Sequence, residues 1–247
     1  MKKNFIFFAA YWISAVLLSS CDEGRIHEKE VVVTPKGRVV KLTGTISGIN
    51  SWASGYDVGL AGFEEGDSYP VVSKSLLTIS EGAPVQLILS GIPENVTSLR
   101  LCAIDRLRRS IADFYTLDKE AIKATSDTLF MNVGGMNVAM YAAVQKVFNN
   151  RCIACHGVST FAARGLYLTE GKSYAGLVNV PSVINPDSLR VKPGNAEESY
   201  LHLVLNKEGY DTHGHLDILS GEPDKLTLID AWINNGALEK EKTLLSK

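Results

Sequence analysis

The run Cys152-Ile153-Ala154-Cys155-His156 constrains this chain most, because it asks a short stretch of backbone to turn two thiols and an imidazole toward one partner. C-x-x-C-H is the attachment pattern of a c-type haem. The two thiols add across the two vinyl groups on one edge of the macrocycle, and the adjacent imidazole sits under the iron as proximal ligand. Other chemistries fit less well. A thioredoxin-like C-x-x-C stands between a strand and a helix in a βαβ pattern, and no such pattern surrounds this run. A structural zinc site needs a second ligand pair, and no cysteine follows Cys155. A disulfide across two residues leaves His156 without a role. The sequence therefore predicts one haem c, held covalently through Cys152 and Cys155 and ligated by His156.

The amino terminus points to a compartment where such attachment takes place. Lys2 and Lys3 precede an apolar run over residues 5–18, closed by Leu18-Ser19-Ser20-Cys21. A basic start and an apolar centre read as an export signal. The ending resembles a lipobox, which implies cleavage before Cys21 and lipidation of its thiol. A transmembrane helix is the competing reading, but the run falls short of the roughly 20 residues that span a bilayer and leaves Cys21 unexplained. Acyl chains hold a protein to a membrane, each buried methylene contributing about 0.8 kcal/mol. The expectation is a protein of the cell envelope, anchored to the inner or outer membrane and facing the periplasm or cell surface. Loss of Lys2 and Lys3 with the signal takes the formal net charge from −2 to −4. With no Lys/Arg-rich block, no nucleic acid partner is expected.

The 247 residues and 45% hydrophobic content suit two domains of ordinary size. Residues 1–20 read as the signal and 21–30 as a charged tether, with His27 a surface residue. Over 31–118 the pattern turns to period two, most clearly where Val40, Leu42 and Ile46 alternate with Lys41, Thr43, Thr45 and Ser47. Further strands are predicted at 56–63, 76–79, 85–89 and 98–104, separated by turn signals such as Glu65-Gly66-Asp67 and Glu81-Gly82-Ala83-Pro84. This spacing argues for a β-sandwich, immunoglobulin-like or transthyretin-like. The stretch offers no convincing chemistry. Trp52, Tyr56 and Tyr69 suit core packing better than a carbohydrate surface, and Arg106, Arg108 and Arg109 suit a solvated strand end. Asn95-Val96-Thr97 reads as a turn, and Cys102 as a small buried hydrophobe.

Residues 119–136 read as a linker ending at Gly134-Gly135. A helix is predicted over 137–149, where Met140, Tyr141, Val144, Val147 and Phe148 recur at helical spacing and lead into Cys152. A second follows Pro193-Gly194, with Asn195 as cap and Glu198 three residues on. A third covers about 223–235, with Leu226, Ile229, Trp232 and Ile233 inward and a stop at Gly236. Residues 239–247 are left as a tail.

Six stretches then fall in a telling order. They are Val147-Phe148-Asn149-Asn150-Arg151-Cys152, Gly165-Leu166-Tyr167-Leu168, Gly176-Leu177-Val178-Asn179-Val180-Pro181-Ser182, Arg190-Val191-Lys192-Pro193-Gly194-Asn195, Ser199-Tyr200-Leu201 and Trp232-Ile233-Asn234-Asn235-Gly236-Ala237. Together they resemble the planctomycete-type cytochrome c domain over about residues 137–238. The resemblance implies an all-α, class I-like cytochrome c domain following the β-sandwich, its first and last helices crossing beside the haem with Phe148 against Trp232. It also implies that Arg190 faces a haem propionate, which a guanidinium can bind in bidentate fashion; a surface-loop charge is the other reading.

The family usually supplies a Met-Pro before the terminal helix as second iron ligand, and here that pair is missing. The methionines are Met1, Met131, Met136 and Met140, all upstream of the haem motif. In the corresponding region stands Thr212-His213-Gly214-His215-Leu216-Asp217. This places either His215 or His213 opposite His156, with a five-coordinate or water-bound iron as the competing state. His202 is expected to face outward from its helix. The functional expectation is an electron carrier working with a redox partner protein, and not an enzyme, since no nucleophile triad, catalytic carboxylate pair or phosphate loop is visible. The alternatives are a haem-based module that senses or binds a small ligand at an open distal position, and a peroxidase-like activity using a loop histidine.

Overall fold

β1 (Arg38–Ser47) follows its sequence alternation: Val40, Leu42 and Ile46 are buried, while Lys41, Thr43 and Thr45 retain exposure. It pairs antiparallel with β4 (Pro84–Ile92) and parallel with β7 (Thr128–Asn137) in a three-stranded sheet of order β4-β1-β7. β2 (Asp57–Phe63), β3 (Val72–Ser75), β5 (Ser98–Ile104) and β6 (Ser110–Leu117) form an antiparallel sheet of order β3-β2-β5-β6. The helices are α1 (Lys119–Lys123), α2 (Met140–Arg151), α3 (Ile153–His156), α4 (Ser173–Leu177), α5 (Tyr200–Asn206) and α6 (Pro223–Asn234), with 3-10 turns at Ile49–Ser51, Ala163–Gly165 and His215–Ile218. The computed structural model describes residues 37–76, 82–123, 128–157, 162–210 and 214–239. The predicted signal with Cys21, the predicted tether and the tail beyond residue 239 lie outside the described residues, as does the predicted strand at 76–79 beyond Leu76. Among the described residues no helix is long and apolar enough to cross a membrane.

The expected β-sandwich followed by an all-α, class I-like cytochrome c domain is not what the chain forms. Among the described residues seven strands in two sheets make the frame and the longest helices have 12 residues, and Lys36–Lys247 is one compact unit. The stretch that overturns the expectation is the predicted linker, 119–136, which supplies α1 and most of β7. β7 runs alongside β1 from the pair Val39 and Thr128 to the pair Ser47 and Asn137, and buries Leu129, Met131 and Val133. The helical segments that follow are tied into this frame. The Met140 amide donates to Ser51 Oγ (2.8 Å), Trp52 Nε1 to the Val138 carbonyl (2.7 Å) and Asn235 Nδ2 to the Ser51 carbonyl (2.9 Å). Gly48, at φ +85°, lies so close to the start of α2 that a Cβ there would stand 2.4 Å from the Ala139 nitrogen.

An independent domain needs an apolar core of its own. Here one continuous cluster runs from Leu42 and Leu60 in the sheets through Val144 and Phe148 of α2 to Ile229 and Trp232 of α6. The strands thus serve as the wall against which α2 and α6 pack, and α2 is the element that carries the cysteine motif.

Candidate functional site

α2 buries Met140, Tyr141, Val144, Val147 and Phe148, the stripe its spacing predicts, and this fixes where its C-terminus emerges. The Cys152 amide donates to the Phe148 carbonyl (2.9 Å), closing α2. The amides of Cys155 and His156 then both donate to the Cys152 carbonyl (3.2 and 3.0 Å), so α3 is a single turn displaying the two thiols and the imidazole together. Gly157 is required behind it, since a Cβ there would fall 2.5 Å from the Ile153 carbonyl oxygen. Both thiols are free. Cys155 is exposed, whereas Cys152 is partly buried and burial pushes its pKa up to about 11, aided by the neighbouring Cys155. Cys102, on β5, is fully buried, and burial pushes its thiol up to about 12. Thiolate is the reactive form. In haem-free protein iodoacetamide should therefore label Cys155 first, Cys152 at least about tenfold more slowly, and Cys102 only on unfolding; peptide mass spectrometry reads the order, and equal rates at Cys152 and Cys155 would contradict this geometry.

The segment Gly165-Leu166-Tyr167-Leu168 grips His156 twice. The Leu168 amide donates to the His156 carbonyl (2.8 Å), and His156 Nδ1 lies 3.0 Å from the Leu166 carbonyl. A carbonyl only accepts, so the proton belongs on Nδ1 and the lone pair on Nε2. That is how the outer hydrogen bond of a metal-binding histidine sets its tautomer. The segment is one of the six stretches that carry the resemblance, but its hold on His156 was not predicted from them.

His215 opens the 3-10 turn His215–Ile218, entered from Gly214 in the left-handed region at φ 69°. Its ring centroid stands 6.2 Å from that of His156, with 39° between the ring planes. His215 is half-buried; burial, with His156 nearby, holds its pKa below the usual histidine value and favours the neutral ring. His213 lies outside the described residues. The structure thus brings His156 and His215 together from elements 59 residues apart in sequence.

Other candidates fall elsewhere. Arg190 donates through one Nη to the Gly176 carbonyl (2.7 Å) and is partly buried, which pulls its pKa down. His202 does not face outward: it is buried on α5, Nδ1 donating to Asp230 of α6 (2.9 Å) with Glu197 3.5 Å from Nε2. Asn195 does not cap that helix, which starts at Tyr200; its side chain instead accepts the Glu198 amide (3.1 Å) in the preceding turn. Trp232 and Phe148 are both fully buried, and the ring tilted against Trp232 is that of Tyr141, 5.0 Å away. Trp52 and Tyr56 pack against the core with ring centroids 5.8 Å apart, but Tyr69 is half exposed.

The separation of the His156 and His215 rings is compatible with both imidazoles reaching one metal atom. With metal–nitrogen bonds of about 2 Å, two imidazoles facing each other across one metal stand about 6 Å apart between ring centres. The two thiols sit on the same turn as one of those imidazoles. Among the described residues no group of three or more His, Cys, Asp or Glu is arranged to hold a metal ion by itself, and a haem, which brings four ligands of its own, asks for no such group. No family model, curated protein or solved structure matches the chain.

Proposed function

We propose that this protein is a lipid-anchored, mono-haem c-type cytochrome that passes single electrons to a partner protein outside the cytoplasm. The observation that carries the reading is the pair of imidazoles, His156 and His215, with centroids 6.2 Å apart beside two free thiols. Cys152 and Cys155 would hold the haem covalently and His156 and His215 its iron. A bound haem would supply a one-electron couple, at lower potential when held by two histidines than by a histidine and a methionine.

The chain's own residues prepare that site. Leu166 keeps the His156 proton on Nδ1, and burial favours neutral His215, the form able to donate a lone pair. If His156 and His215 both held the iron, no position would remain for a substrate, which favours a carrier over an enzyme. The envelope location rests on the basic start, the apolar run 5–18 and the lipobox-like ending at Cys21.

A visible spectrum of purified oxidised and reduced protein tests the assignment. The reduced form is expected to be low-spin, and His215→Ala is expected to make it high-spin. Absence of haem absorbance, in protein produced with haem-attachment machinery, would remove the reading; a low-spin spectrum lost in His213→Ala but kept in His215→Ala would move the ligand to His213. A second reading is favoured by the slightness of the 3-10 turn carrying His215: a displaceable ligand would make this a module that binds a small molecule such as carbon monoxide. Rapid carbon monoxide binding by the reduced protein selects that alternative, and slow binding retains the carrier.

A further inference from the structure

α2 buries one amide side chain, Gln145, at helical spacing from Tyr141 and Phe148. An amide is costly to bury unless its hydrogen bonds are met, and a leucine at this position would be cheaper. Here they are met, and the partners tell its two ends apart. The Leu168 carbonyl only accepts, so Nε2 faces it and donates at 2.9 Å, with a second bond to Asn149 Oδ1 at 2.8 Å. Oε1 therefore faces the hydroxyl of Ser173, at the start of α4, which donates to it. With its own proton committed, Ser173 Oγ accepts from the Tyr141 hydroxyl at 2.6 Å. The bonds then all point one way: Tyr141 to Ser173, Ser173 to Gln145, Gln145 to the Leu168 carbonyl, and the Leu168 amide to the His156 carbonyl. Hydrogen bonds aligned in this way polarise and strengthen one another.

The end of this chain is the segment that grips His156. The amides of Gly165 and Leu166 bond locally, to the carbonyls of Ala162 and Ala163 (2.9 and 3.1 Å), so the bond from Gln145 to Leu168 is what fastens the segment to α2. The Leu166 carbonyl that meets His156 Nδ1 stands two residues before that fastening. α2 thus reaches His156 by two routes, along the backbone through Cys152 and across the fold through Gln145.

We propose that Gln145 is a positioning residue for His156: by fastening Leu168 to α2 it holds the Leu166 carbonyl against Nδ1 and leaves Nε2 free to bind iron. The consequence for iron rests on the cytochrome reading above; the orientation of the ring does not. An imidazole that donates through Nδ1 is a more basic ligand through Nε2, which favours ferric over ferrous iron and lowers the potential.

Gln145→Met keeps the length of the side chain and removes both its donors and its acceptor. In the full chain prepared without haem, NMR of the ring nitrogens at about pH 8, where an ordinary imidazole is neutral, reads the tautomer of His156. The wild type is expected to hold the proton on Nδ1. In Gln145→Met the ratio of Nδ1–H to Nε2–H should fall about threefold to tenfold, the range one hydrogen bond sets. Val144→Ala opens a cavity in the same helix while removing no polar group, and as the control for lost stability it should leave the tautomer in place. In haem-loaded protein Gln145→Met should move the midpoint potential upward. An unmoved tautomer in a folded Gln145→Met protein, or an unmoved potential once haem is attached, overturns the proposal. Where that variant fails to fold, Ser173→Ala keeps the glutamine and removes the hydroxyl that orients it; a tautomer shift in the same direction supports the proposal and an unmoved tautomer overturns it. Wild-type protein that takes up no haem would instead remove the cytochrome reading, and the tautomer in the haem-free chain would still decide what Gln145 does.

Discussion

With Cys152 and Cys155 both changed to serine, haem that survives denaturation should vanish from the polypeptide: haem staining of a denaturing gel falls to background while the amount of protein holds. A serine hydroxyl does not add across the haem vinyl groups, so neither covalent link can form. His156 and His215 could still meet a haem iron, but only by bonds that denaturation breaks. Either single variant keeps one thioether and should retain part of the stain. Cys102→Ala is the control, because its thiol is fully buried in β5 with a pKa pushed up to about 12, and the stain should be unaffected. Full staining of the double variant would sink the assignment of these two cysteines, and an unstained wild-type protein made with attachment machinery would sink the cytochrome reading itself.

The cysteine motif was legible because its chemistry is local: three side chains within five residues either face one partner or have no common purpose. Its supports were legible in part. The stripe on α2 and the inward Trp232 and Ile233 of α6 follow from helical spacing, and both elements lie where that spacing puts them. That either His215 or His213 would stand opposite His156 was inferred from a missing methionine, through resemblance and not through any local pattern; only the fold supplies the 6.2 Å between the His156 and His215 rings. The Leu166 and Leu168 clamp is made by backbone groups, which every residue carries, so side-chain identity could not announce it.

The fold class was misread for a definite reason. β7 should show apolar and polar residues in turn, but Phe130 stands at an outward position, 70% exposed, next to buried Met131. The Leu-Phe-Met run blurs the alternation, and Gly134-Gly135 adds a turn signal inside the strand. Moreover β7 pairs with β1, about ninety positions earlier and in parallel, a connection that no short-range pattern records. His202 was assigned outward because histidine on a short helix is usually solvated; Asp230, on a different helix, supplies the partner that makes its burial tolerable. In each case the deciding contact is between residues far apart in sequence.

Trp232→Ala should lower stability by about 3–5 kcal/mol, the usual cost of emptying a buried aromatic site, and shift Tm down by roughly 6–20 °C for a chain of this size. The indole is 1% exposed, donates through Nε1 to the Leu238 carbonyl (2.9 Å) and lies against Tyr141 of α2. Tyr141 in turn bonds Ser173 at the start of α4 (2.6 Å) and meets the Tyr174 ring edge-on at 5.4 Å, so the cavity would loosen three helices at once. The loss should reach the sheets too, because Trp232 shares its core with Leu42 and Leu60. Cys102, fully buried in β5, reports on that: alkylation of its peptide during thermal unfolding should rise at the same temperature as the helical circular dichroism is lost, in the wild type and in the variant alike. Were Cys102 to stay protected after the helical signal had melted, the strands would form a separately folding unit, and the shared core would not be what joins the cysteine motif to its frame.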